Sequence, residues 1–542
     1  MGEVEPVPWA TIPALLRDAA ARYAEREAVV DGDRRLDFAA LCAQAERVAR
    51  ALRAAGIAPG DRVAIWASNG WRWVVAACAV WQRGAVLVPL ATRWKAPEVA
   101  PLLARTGARL LFAEHASAGE RPLAALFAHS GAARAGRPIA GLPELERIVA
   151  LDAAGAERAP LGEPWDEFAA RGDGAPALDD SGVRADALAE ILFTSGTTGA
   201  PKGVELLQGQ LLQAYWDWSG IGGLREGDRF LVIPPYSHGF GLNGGILACL
   251  MRGVVNVPVA VFEPRAVLER IARERISAIS GPPTLFATLM HLEGFDPDAV
   301  ASLRLAFVGA AAVPTELIHA MRRRMGIERV CNAYGLIEAC VISMTRADDP
   351  PEVIATTTGR AMPGVEVRLV DPDGADVADG LPGEVWARSQ GVMRGYWRDP
   401  EQTAAALTPD GWCRTGDVGV RDAAGHLRVV DRLKDAYNCG GFSAYPAEIE
   451  NRLLERAEIA QVAVVGVPDE RLGEVGHAFV IPAAGRRVDE RELIAWARAN
   501  MANYKAPRRV HVVDALPLNA NGKVRKDLLR ERARAARDDP SR

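Results

Sequence analysis

Short apolar runs rich in β-branched residues alternate with alanine-rich helical patterns from residue 28 to residue 113. An amphipathic helical pattern at 38–57 precedes the strand-like run DRVAIWA at 61–67, and an apolar run at 73–81 follows it. That last run is too short to cross a bilayer, so it predicts a buried helix. Strands separated by helices pair in parallel and are covered by those helices, so the alternation predicts an α/β fold.

Three later regions differ from this pattern. Residues 114–186 are rich in Ala, Gly, Pro and charge with weak periodicity, which predicts an irregular surface connection. The α/β rhythm then returns, and from 358 to 431 Gly-rich turns separate short strands, which indicates a mostly β subdomain. After DRLKD at 431–435, helical and strand patterns predict a compact α+β unit of about a hundred residues.

Composition limits the class of protein. The 542 residues are 49% hydrophobic and 25% charged, with a formal net charge of −5. These values indicate two or more globular domains and no nucleic-acid partner. Seven cysteines without a CxxC pair favour a reducing cytoplasm over a disulfide framework or a zinc site. The N-terminus, MGEVEPVPWA, lacks the apolar core of a signal peptide, so we expect a cytoplasmic protein without a membrane span.

A loop rich in glycine and hydroxyl side chains, TSGTTGAPKGV, occupies residues 194–204. The preceding AEILF (189–193) predicts a buried strand, and the following VELLQGQLLQAYW (204–216) predicts a helix. In such a strand-to-helix loop, glycines let backbone N–H groups converge on an anion, hydroxyls add donors, and Lys202 adds charge. The loop therefore predicts a phosphate-binding site.

This loop differs from the common phosphate-binding motifs. Pro201 stands where a Walker A loop has glycine before the lysine, and Gly203 stands where that loop has Ser or Thr. It does not match GxGxxG either. The alternative interpretation is a flexible surface loop with a solvated lysine, which the length and order of the motif make less favourable.

The order TSGTTGxPKG resembles the signature of the adenylate-forming superfamily, which includes acyl-CoA synthetases, luciferases and the adenylation domains of peptide synthetases. Eight further segments resemble the family's motifs in the same order: PPYSHGFG (234–241), VGAAAVP (308–314), NAYGLIE (332–338), GRAMPGVEVRLVD (359–371), GEVWARSQGVMRGYW (383–397), WCRTGDVG (412–419), DRLKDAYNCGGFSAYPAEIE (431–450) and PLNANGKVRK (517–526). The resemblance thus covers nearly the whole chain.

The resemblance implies a two-domain fold and a two-step reaction. The large N-terminal α/β domain, with parallel-type sheets flanked by helices and a β subdomain, is expected at 1–431, a hinge at 432–435, and a small mobile α+β domain at 436–542. The expected activity is ATP-dependent ligation of a carboxylic acid to CoA. The acid displaces pyrophosphate from ATP, and the acyl group then passes to CoA with release of AMP.

The resemblance also implies the residues that bind ATP. Phosphates are expected on Thr194, Ser195, Gly196, Thr197, Thr198, Gly199 and Lys202, and adenine on Gly309, Ala310, Ala311, Asn332, Tyr334 and Gly335. Asp417 is expected to accept the ribose hydroxyls, since an ionised carboxylate only accepts hydrogen bonds. Arg432 is expected near ribose and phosphate, and Glu338 on Mg²⁺, a hard cation that prefers carboxylate oxygen.

Lys523 is expected to catalyse the first step, because its ammonium would meet the charge that develops between the carboxylate and the α-phosphate. Taken alone, a lysine in PLNANGKV is more often a turn residue, since NG is a turn signal. In the second step Lys523 would obstruct the thiol, so the small domain is expected to rotate at Lys434. Gly440 and Gly441 are expected to line a narrow CoA tunnel, their alternative role being a tight turn.

The acyl pocket is expected to be mostly apolar and to be formed by His238, Phe240, Gly241, Leu336 and Ile337. PPYSHGFG has no Asp to pair with a substrate ammonium, so an amino acid is not expected. An uncharged fatty, alicyclic or aromatic acid fits better. The segments resemble bacterial acid:CoA ligases, in particular those that activate steroid ring-propanoates. His238 has an alternative role as a buried core histidine.

Two positions depart from the family's pattern. Ile337 stands where the YGxTE motif has Thr, and Gln208 stands where many members have His. Losing a hydrogen bond to a charged group costs about 1.5–3 kcal/mol, so Ile337 is expected to slow adenylation or to reshape the acyl pocket. Ile337→Thr is accordingly expected to leave turnover equal or higher, and a collapse in turnover would mark Ile337 as a specificity residue.

The departure at Ile337 also supports an alternative function, a homologue that binds an acyl-adenylate or nucleotide without turnover. A luciferase-like oxygenase is a third candidate. The expected partners are a small carboxylic acid, ATP and CoA, and assembly into a homo-oligomer is compatible with the sequence.

Overall fold

A computed structural model of the chain describes residues 5–115, 121–130, 139, 141–152, 162–178, 182–194, 201–309, 313–439, 442–469, 471–519 and 523–537. The chain forms two compact units. The first comprises Met1–Glu366 and Ala387–Cys413, and the second comprises Val367–Trp386 and Arg414–Arg542. Among the described residues, no helix combines the length and the apolar character that crossing a membrane requires.

The α-helices, in chain order, are α1 Ile12–Arg22, α2 Phe38–Ala54, α3 Trp71–Gln82, α4 Ala96–Thr106, α5 Pro122–Ser130, α6 Trp165–Ala170, α7 Gln208–Gly222, α8 Gly239–Leu242, α9 Ala248–Arg252, α10 Pro264–Glu274, α11 Pro283–Met290, α12 Thr315–Met325, α13 Pro351–Thr356, α14 Pro400–Ala406, α15 Pro446–Leu453, α16 Glu490–Asn500 and α17 Lys526–Arg537. A π-helical turn at Asn243–Leu247 joins α8 to α9.

The strands, in chain order, are β1 Glu27–Asp31, β2 Arg34–Asp37, β3 Arg62–Trp66, β4 Val86–Pro89, β5 Ala108–Ala113, β6 Arg147–Ala150, β7 Glu163–Pro164, β8 Leu188–Thr194, β9 Lys202–Leu207, β10 Arg229–Val232, β11 Val255–Pro258, β12 Ala278–Gly281, β13 Leu305–Val308, β14 Arg329–Leu336, β15 Cys340–Met344, β16 Arg360–Ala361, β17 Glu366–Val370, β18 Gly383–Arg388, β19 Gly395–Tyr396, β20 Cys413–Arg421, β21 Leu427–Arg432, β22 Tyr437–Cys439, β23 Phe442–Ala444, β24 Ile459–Asp469, β25 Gly473–Pro482 and β26 Arg509–Val512.

The first unit contains an eight-stranded sheet in the order β19-β9-β8-β4-β3-β5-β6-β7. Pairing is parallel from β8 to β7, as the strand–helix alternation predicts, and antiparallel where β9 joins β8 and β19. The predicted buried helix is α3, in which every residue from Trp73 to Trp81 is buried. Covering helices of this kind let a parallel sheet bury both faces.

The interval 114–186 is more regular than the sequence predicted. It contributes two helices, α5 and α6, and two strands, β6 and β7, that extend the parallel sheet beyond β5. The prediction of an irregular connection was therefore wrong for these parts. The four residues of β6 and the two of β7 are too few to show periodicity, and pairing with β5 stabilises them instead.

A second sheet of the first unit has nine strands in the order β16-β15-β14-β13-β12-β10-β11-β1-β2. Its strands from β14 to β1 pair in parallel, and its two edges are antiparallel. The VGAAAVP segment begins at the last residue of β13, and the NAYGLIE segment contains the carboxyl-terminal half of β14. In parallel sheets, ligands bind outside the carboxyl ends of the strands.

The strand-to-helix prediction for the glycine-rich loop was wrong. β8 pairs antiparallel with β9, with Thr194 opposite Lys202, so the loop joins two strands of one sheet. Residues 204–207 belong to β9, and the helix α7 begins only at Gln208. Val204 and Leu206 are buried, whereas Glu205 and Leu207 are half-buried. This period of two is hard to recognise in the sequence, because α7 follows directly and continues the run of leucines.

The second unit contains most of the four-stranded sheet of the predicted β subdomain, together with the α+β unit, whereas β19 and α14 belong to the first unit. The four-stranded sheet has the order β17-β18-β20-β21, with β20 and β21 antiparallel. The C-terminal sheet has the order β23-β22-β25-β24, and β26 pairs in parallel with β25. Helix α15 packs on β24, and α16 packs on β26.

Candidate active site

Lys202 follows the glycine-rich loop at the start of β9. Its Nζ donates to Oε1 of Gln402 on α14 at 2.5 Å and lies 4.8 Å from the ring centroid of Tyr396. The short strand β19 brings Tyr396 there, because it pairs with β9 and places Tyr396 opposite Val204. Ser195, Gly196, Thr197, Thr198 and Gly199, the residues predicted to hold phosphate between Thr194 and Lys202, lie outside the described residues.

Tyr396 also contacts Glu338, the residue predicted to bind metal. Its hydroxyl donates to Oε1 of Glu338 at 3.0 Å, and the backbone oxygen of Glu338 accepts from Met393 N at 2.8 Å. Burial and the nearby Glu338 carboxylate raise the pKa of Tyr396, so its phenol stays protonated and remains a donor. One ring thus links Lys202 and Glu338, a cation and a carboxylate that are far apart in sequence.

The sequence reasoning assigned no role to Tyr396 or Gln402. Tyr396 lies within the GEVWARSQGVMRGYW segment, but nothing local distinguishes it from the neighbouring tryptophan. Gln402 lies on α14, for which the sequence analysis made no prediction. Only the pairing of β9 with β19 reveals the contact of both side chains with Lys202.

The donor set at Glu338 is suitable for Mg²⁺. No group of three His, Cys, Asp or Glu side chains that could hold a metal occurs in the described part of the chain. Mg²⁺ in nucleotide sites typically takes one or two carboxylates and completes its shell with phosphates and water. A single half-buried carboxylate, oriented by a phenol, fits that requirement.

Gly309, Asn332 and Tyr334 come together at the ends of β13 and β14. Val308 is opposite Asn332 in the parallel pair, and a Cβ at Gly309 would lie 3.9 Å from the Ala333 carbonyl oxygen. Asn332 Nδ2 donates to the Ile354 and Thr357 carbonyls at 3.1 and 2.9 Å. These two bonds use both amide hydrogens, so only Oδ1 remains for a ligand, as an acceptor of the kind that an adenine amino group requires. Ala310 and Ala311 lie outside the described residues.

The segment from Gly335 to Cys340 makes a tight turn between β14 and β15. A Cβ at Gly335 would lie 2.1 Å from the Cys340 carbonyl oxygen, so only glycine fits there. Cys340 itself has φ 51° and ψ −132°, a rare conformation for a non-glycine residue. Leu336 and Ile337 are half-buried, and Ile337 packs against the main apolar core of the first unit.

The PPYSHGFG segment leads into α8. His238 is exposed and its Nδ1 accepts from Phe240 N at 3.2 Å, so it caps α8 and is not a core histidine. Phe240 packs edge-on to Trp218, with ring centroids 6.2 Å apart. A Cβ at Gly241 would lie 2.3 Å from the Pro235 carbonyl oxygen, so glycine is required there by backbone packing.

Gln208, the second departure from the family's pattern, has a structural contact. It is buried at the first position of α7, and its Oε1 accepts from Ile12 N at 2.9 Å. Ile12 is the first residue of α1, so its N–H has no partner within that helix. Gln208 therefore anchors the N-terminal helix to the strand–helix junction that follows the loop.

Asp417 and Arg432 lie in the second unit, opposite one another on β20 and β21. Arg432 Nε pairs with Asp417 Oδ1 at 2.6 Å, and Asp417 is buried. The structure therefore brings together the residues predicted for the ribose and its phosphate. Lys434 is exposed in the turn that follows β21.

Lys523 is exposed in the second unit, after a gap in the described residues at 520–522. Its backbone N–H donates to Asn519 Oδ1 at 2.9 Å, and its carbonyl accepts from Asn519 N at 2.8 Å. The NG signal itself, Asn521 and Gly522, lies outside the described residues. Gly440 and Gly441, the predicted tunnel residues, lie outside the described residues.

The chain is similar in sequence and structure to known CoA ligases. A 7a-methyl-dioxo-octahydro-indenyl propanoyl:CoA ligase of Mycobacterium tuberculosis is 43% identical, with 96% of this chain and 98% of that protein covered. A ligase of the same name from Rhodococcus jostii is 39% identical, again with 96% of this chain and 98% of that protein covered. The solved structure of an anthranilate CoA ligase in complex with anthranoyl-AMP superposes with a TM-score of 0.86 at 26% identity, covering 98% of this chain and 99% of that one.

Two family descriptions match the chain directly. The AMP-binding enzyme family matches residues 16–397, and the AMP-binding enzyme C-terminal domain matches residues 448–523. The first match includes Lys202, Glu338 and Tyr396, and the second ends at Lys523. This chain belongs to the AMP-binding enzyme family, the adenylate-forming superfamily that its motifs resemble.

Proposed function

We propose that the chain is an ATP-dependent acid:CoA ligase whose substrate is an alicyclic propanoate that carries ring ketones. The nucleotide chemistry follows from one observation, the placement of Lys202 and Glu338 on either side of Tyr396 at the end of the glycine-rich loop. The choice of acid follows from the two relatives named for a dioxo ring propanoate, which match this chain from end to end.

In the first step, the acid's carboxylate attacks the α-phosphate of ATP and pyrophosphate leaves. Lys202 supplies positive charge at the leaving phosphates, and the phenol of Tyr396 orients the Glu338 carboxylate. Mg²⁺, held through Glu338, would neutralise phosphate charge when bound. Lys523 supplies the cation that meets the charge between carboxylate and α-phosphate. Asp417 and Arg432 bind the ribose and its phosphate.

In the second step, the thiol of CoA attacks the acyl carbonyl and AMP leaves. Lys523 must be near the nucleotide in the first step and away from it in the second, so the C-terminal part of the second unit, which carries Lys523, has to move. We place the hinge at 432–435, with Lys434 as the residue whose backbone changes, and the domains at 1–431 and 436–542. Gly440 and Gly441 line the path of the thiol.

The proposal also includes a cytoplasmic location. ATP and CoA are cytoplasmic substrates, and all seven cysteines are free thiols, which suits a reducing compartment.

In this proposal the acyl group is surrounded by five residues, His238, Phe240, Gly241, Leu336 and Ile337. The first of their two segments contacts β8, since a Cβ at Gly239 would lie 3.7 Å from Leu192 Cδ1, and in the second segment Leu336 is the last residue of β14.

The test is a panel of acids, each supplied with ATP, Mg²⁺ and CoA. The panel holds bicyclic ring propanoates, linear medium-chain acids and aromatic acids. We expect acyl-CoA and AMP in equal amounts, with the highest kcat/KM for a ring propanoate. Exchange of pyrophosphate into ATP without any thioester would mean that the acceptor is not CoA. No exchange and no thioester with any acid would identify a binding protein and contradict the proposal.

A further inference from the structure

Glu190 is a fully buried carboxyl that the mechanism above does not use. It lies in the middle of β8, with Leu87 of β4 and Leu206 of β9 on its two sides. Its Oε2 accepts from Asn243 Nδ2 at 3.2 Å. Its Oε1 has no hydrogen-bond partner among the described residues. Burial raises the pKa of Glu190 to about 8, so the carboxyl is mostly neutral at pH 7.

Asn243, its partner, occupies the first position of the π-helical turn between α8 and α9. Asn243 is buried as well, and its Oδ1 lacks a hydrogen-bond partner within the described part of the chain. π-helical turns frequently occur at functional sites. The pair therefore has two buried oxygens, one from each side chain, without a hydrogen-bond partner among the described residues.

The Glu190–Asn243 pair lies beside the segment expected to contact the acyl group. A Cβ at Gly239 would lie 3.9 Å from Asn243 Nδ2, 3.4 Å from the Tyr215 hydroxyl and 3.7 Å from Leu192 Cδ1. The Tyr215 hydroxyl donates to the Gly239 carbonyl at 3.3 Å. Gly239 stands between His238 and Phe240, so Asn243 lies next to the segment that carries these two pocket residues.

The titratable neighbours of Glu190 are both neutral. They are Tyr215 on α7 and Cys340 at the start of β15, and burial raises the pKa of each. Cys340 ends the tight turn that carries Leu336 and Ile337, the other predicted pocket residues. Glu190 thus acts electrostatically on the end of that turn, since its charge also raises the pKa of Cys340, and no cation is among the groups that perturb the Glu190 carboxyl.

A purely structural role explains this pair poorly. Burying a carboxyl and an amide costs free energy unless their hydrogen bonds are made, and an apolar pair of similar volume would join β8 to the helix without that cost. Here one hydrogen bond is made and two acceptor oxygens are left unpaired. Native proteins pair nearly all such groups, so a missing partner is a reason to look for a ligand.

We propose that Glu190 and Asn243 form the polar end of the acyl pocket and bind a neutral oxygen, a ketone or a hydroxyl, on the ring of the acid. This inference rests on the proposed function. The protonated Oε1 of Glu190 donates to the substrate oxygen, and Asn243 Oδ1 accepts from a substrate hydroxyl. A substrate ammonium would need an ionised carboxylate, which burial disfavours. A site built to hydrogen-bond a substrate group discriminates strongly against an analogue that lacks it.

The test compares acids of one skeleton, a bicyclic ring propanoate with a ring ketone, with a ring hydroxyl, and with neither. We expect the wild-type chain to prefer each oxygenated acid by at least about tenfold in kcat/KM, which corresponds to about 1.4 kcal/mol. Glu190→Leu should reduce that ratio to near one. Glu190→Gln should keep the preference for the ketone, because its Nε2 can donate in the same place.

Two controls keep the test decisive. Glu205 lies on the neighbouring strand β9, and its carboxylate pairs with Arg394 at 3.5 Å. Glu205→Gln should leave the ratio of kcat/KM between the oxygenated and the unsubstituted acid unchanged. If Glu190→Leu does not fold, the pH profile decides. The preference for the ketone should fall in the wild-type chain as pH rises through about 8, and it should stay constant in Glu190→Gln.

The outcomes separate this inference from the proposed function. A wild-type chain that forms thioesters but treats the matched acids alike overturns the inference alone. The inference is also overturned if Glu190→Leu keeps the wild-type preference for oxygenated acids. It is overturned as well if the preference for the ketone has the same pH dependence in the wild-type chain and in Glu190→Gln. A chain that forms no thioester with any acid overturns the proposed function and this inference together.

Discussion

Tyr396 joins two residues of the proposed nucleotide site. Its ring lies against Lys202, and its hydroxyl donates to Glu338. The sequence predicted the cation and the carboxylate separately, from motifs that each contain one of them. It could not predict the residue that joins them, because the contact depends on a two-residue strand, β19, with no periodicity of its own.

Removing the Tyr396 hydroxyl should weaken adenylation. We expect Tyr396→Phe to lower acid-dependent ATP–pyrophosphate exchange about 10- to 100-fold, because a hydrogen bond to a charged group is worth about 1.5–3 kcal/mol. The ring under Lys202 remains in this variant, so the loss reports the contact with Glu338. Tyr437→Phe is the matched control, since the buried Tyr437 hydroxyl makes no hydrogen bond within the described residues. Equal exchange in both variants would contradict this role.

The buried carboxyl of Glu190 should make stability depend on pH. Its folded-state pKa, about 8, lies above the ordinary value of 4.5, so between these values the folded chain holds a proton that the unfolded chain releases. Its contribution to stability is complete below pH 4.5 and is lost as pH rises through about 8. Glu190→Gln does not titrate. Its stability relative to the wild type should rise by about 1–3 kcal/mol from pH 6 to pH 8, as measured by urea unfolding. If the difference in free energy of unfolding between Glu190→Gln and the wild type does not change with pH, the pKa of Glu190 lies near its ordinary value.

At the scale of elements, the β8–β9 hairpin shows where pattern reading fails. The strand β8 was predicted, whereas β9 was assigned to the following helix. A six-residue strand that runs into an amphipathic helix offers too few positions for a period of two to be distinguished from a period of 3.6. The pairing with β8 and β19 decides the outcome, and it places Lys202 at the start of a strand in the sheet.

The junction between β9 and α7 also carries a structural contact that can be tested. Gln208→Ala leaves the buried N–H of Ile12 without its acceptor, so we expect a loss of about 1–3 kcal/mol in the free energy of unfolding. Adenylation kinetics of the folded variant should be unchanged within a factor of two to three, because Gln208 bonds to α1. Urea unfolding and ATP–pyrophosphate exchange measure the two effects. A selective loss of exchange at unchanged stability would place Gln208 in the nucleotide site.

At the scale of the whole molecule, the alternation of strands and helices predicted the two parallel sheets of the first unit and the α+β unit at the C-terminus. It missed β6 and β7, whose strand character comes from pairing with a neighbour. The motifs predicted that Asp417 and Arg432 serve one ligand, and they pair on β20 and β21. The partners of Lys202 and Glu338, and the unpaired oxygens of Glu190 and Asn243, arise from tertiary contacts that no local pattern encodes.

We propose that one chain performs two half-reactions and that Lys523 serves only the first. The most direct measurement follows both in Lys523→Ala, with Lys526→Ala as the control because Lys526 lies in the same segment and pairs with Glu450 at 2.8 Å. We expect Lys523→Ala to lose at least about 100-fold in ATP–pyrophosphate exchange, or about 2.7 kcal/mol, and still to convert a supplied acyl-adenylate to the CoA thioester. Undiminished exchange in Lys523→Ala would contradict the account.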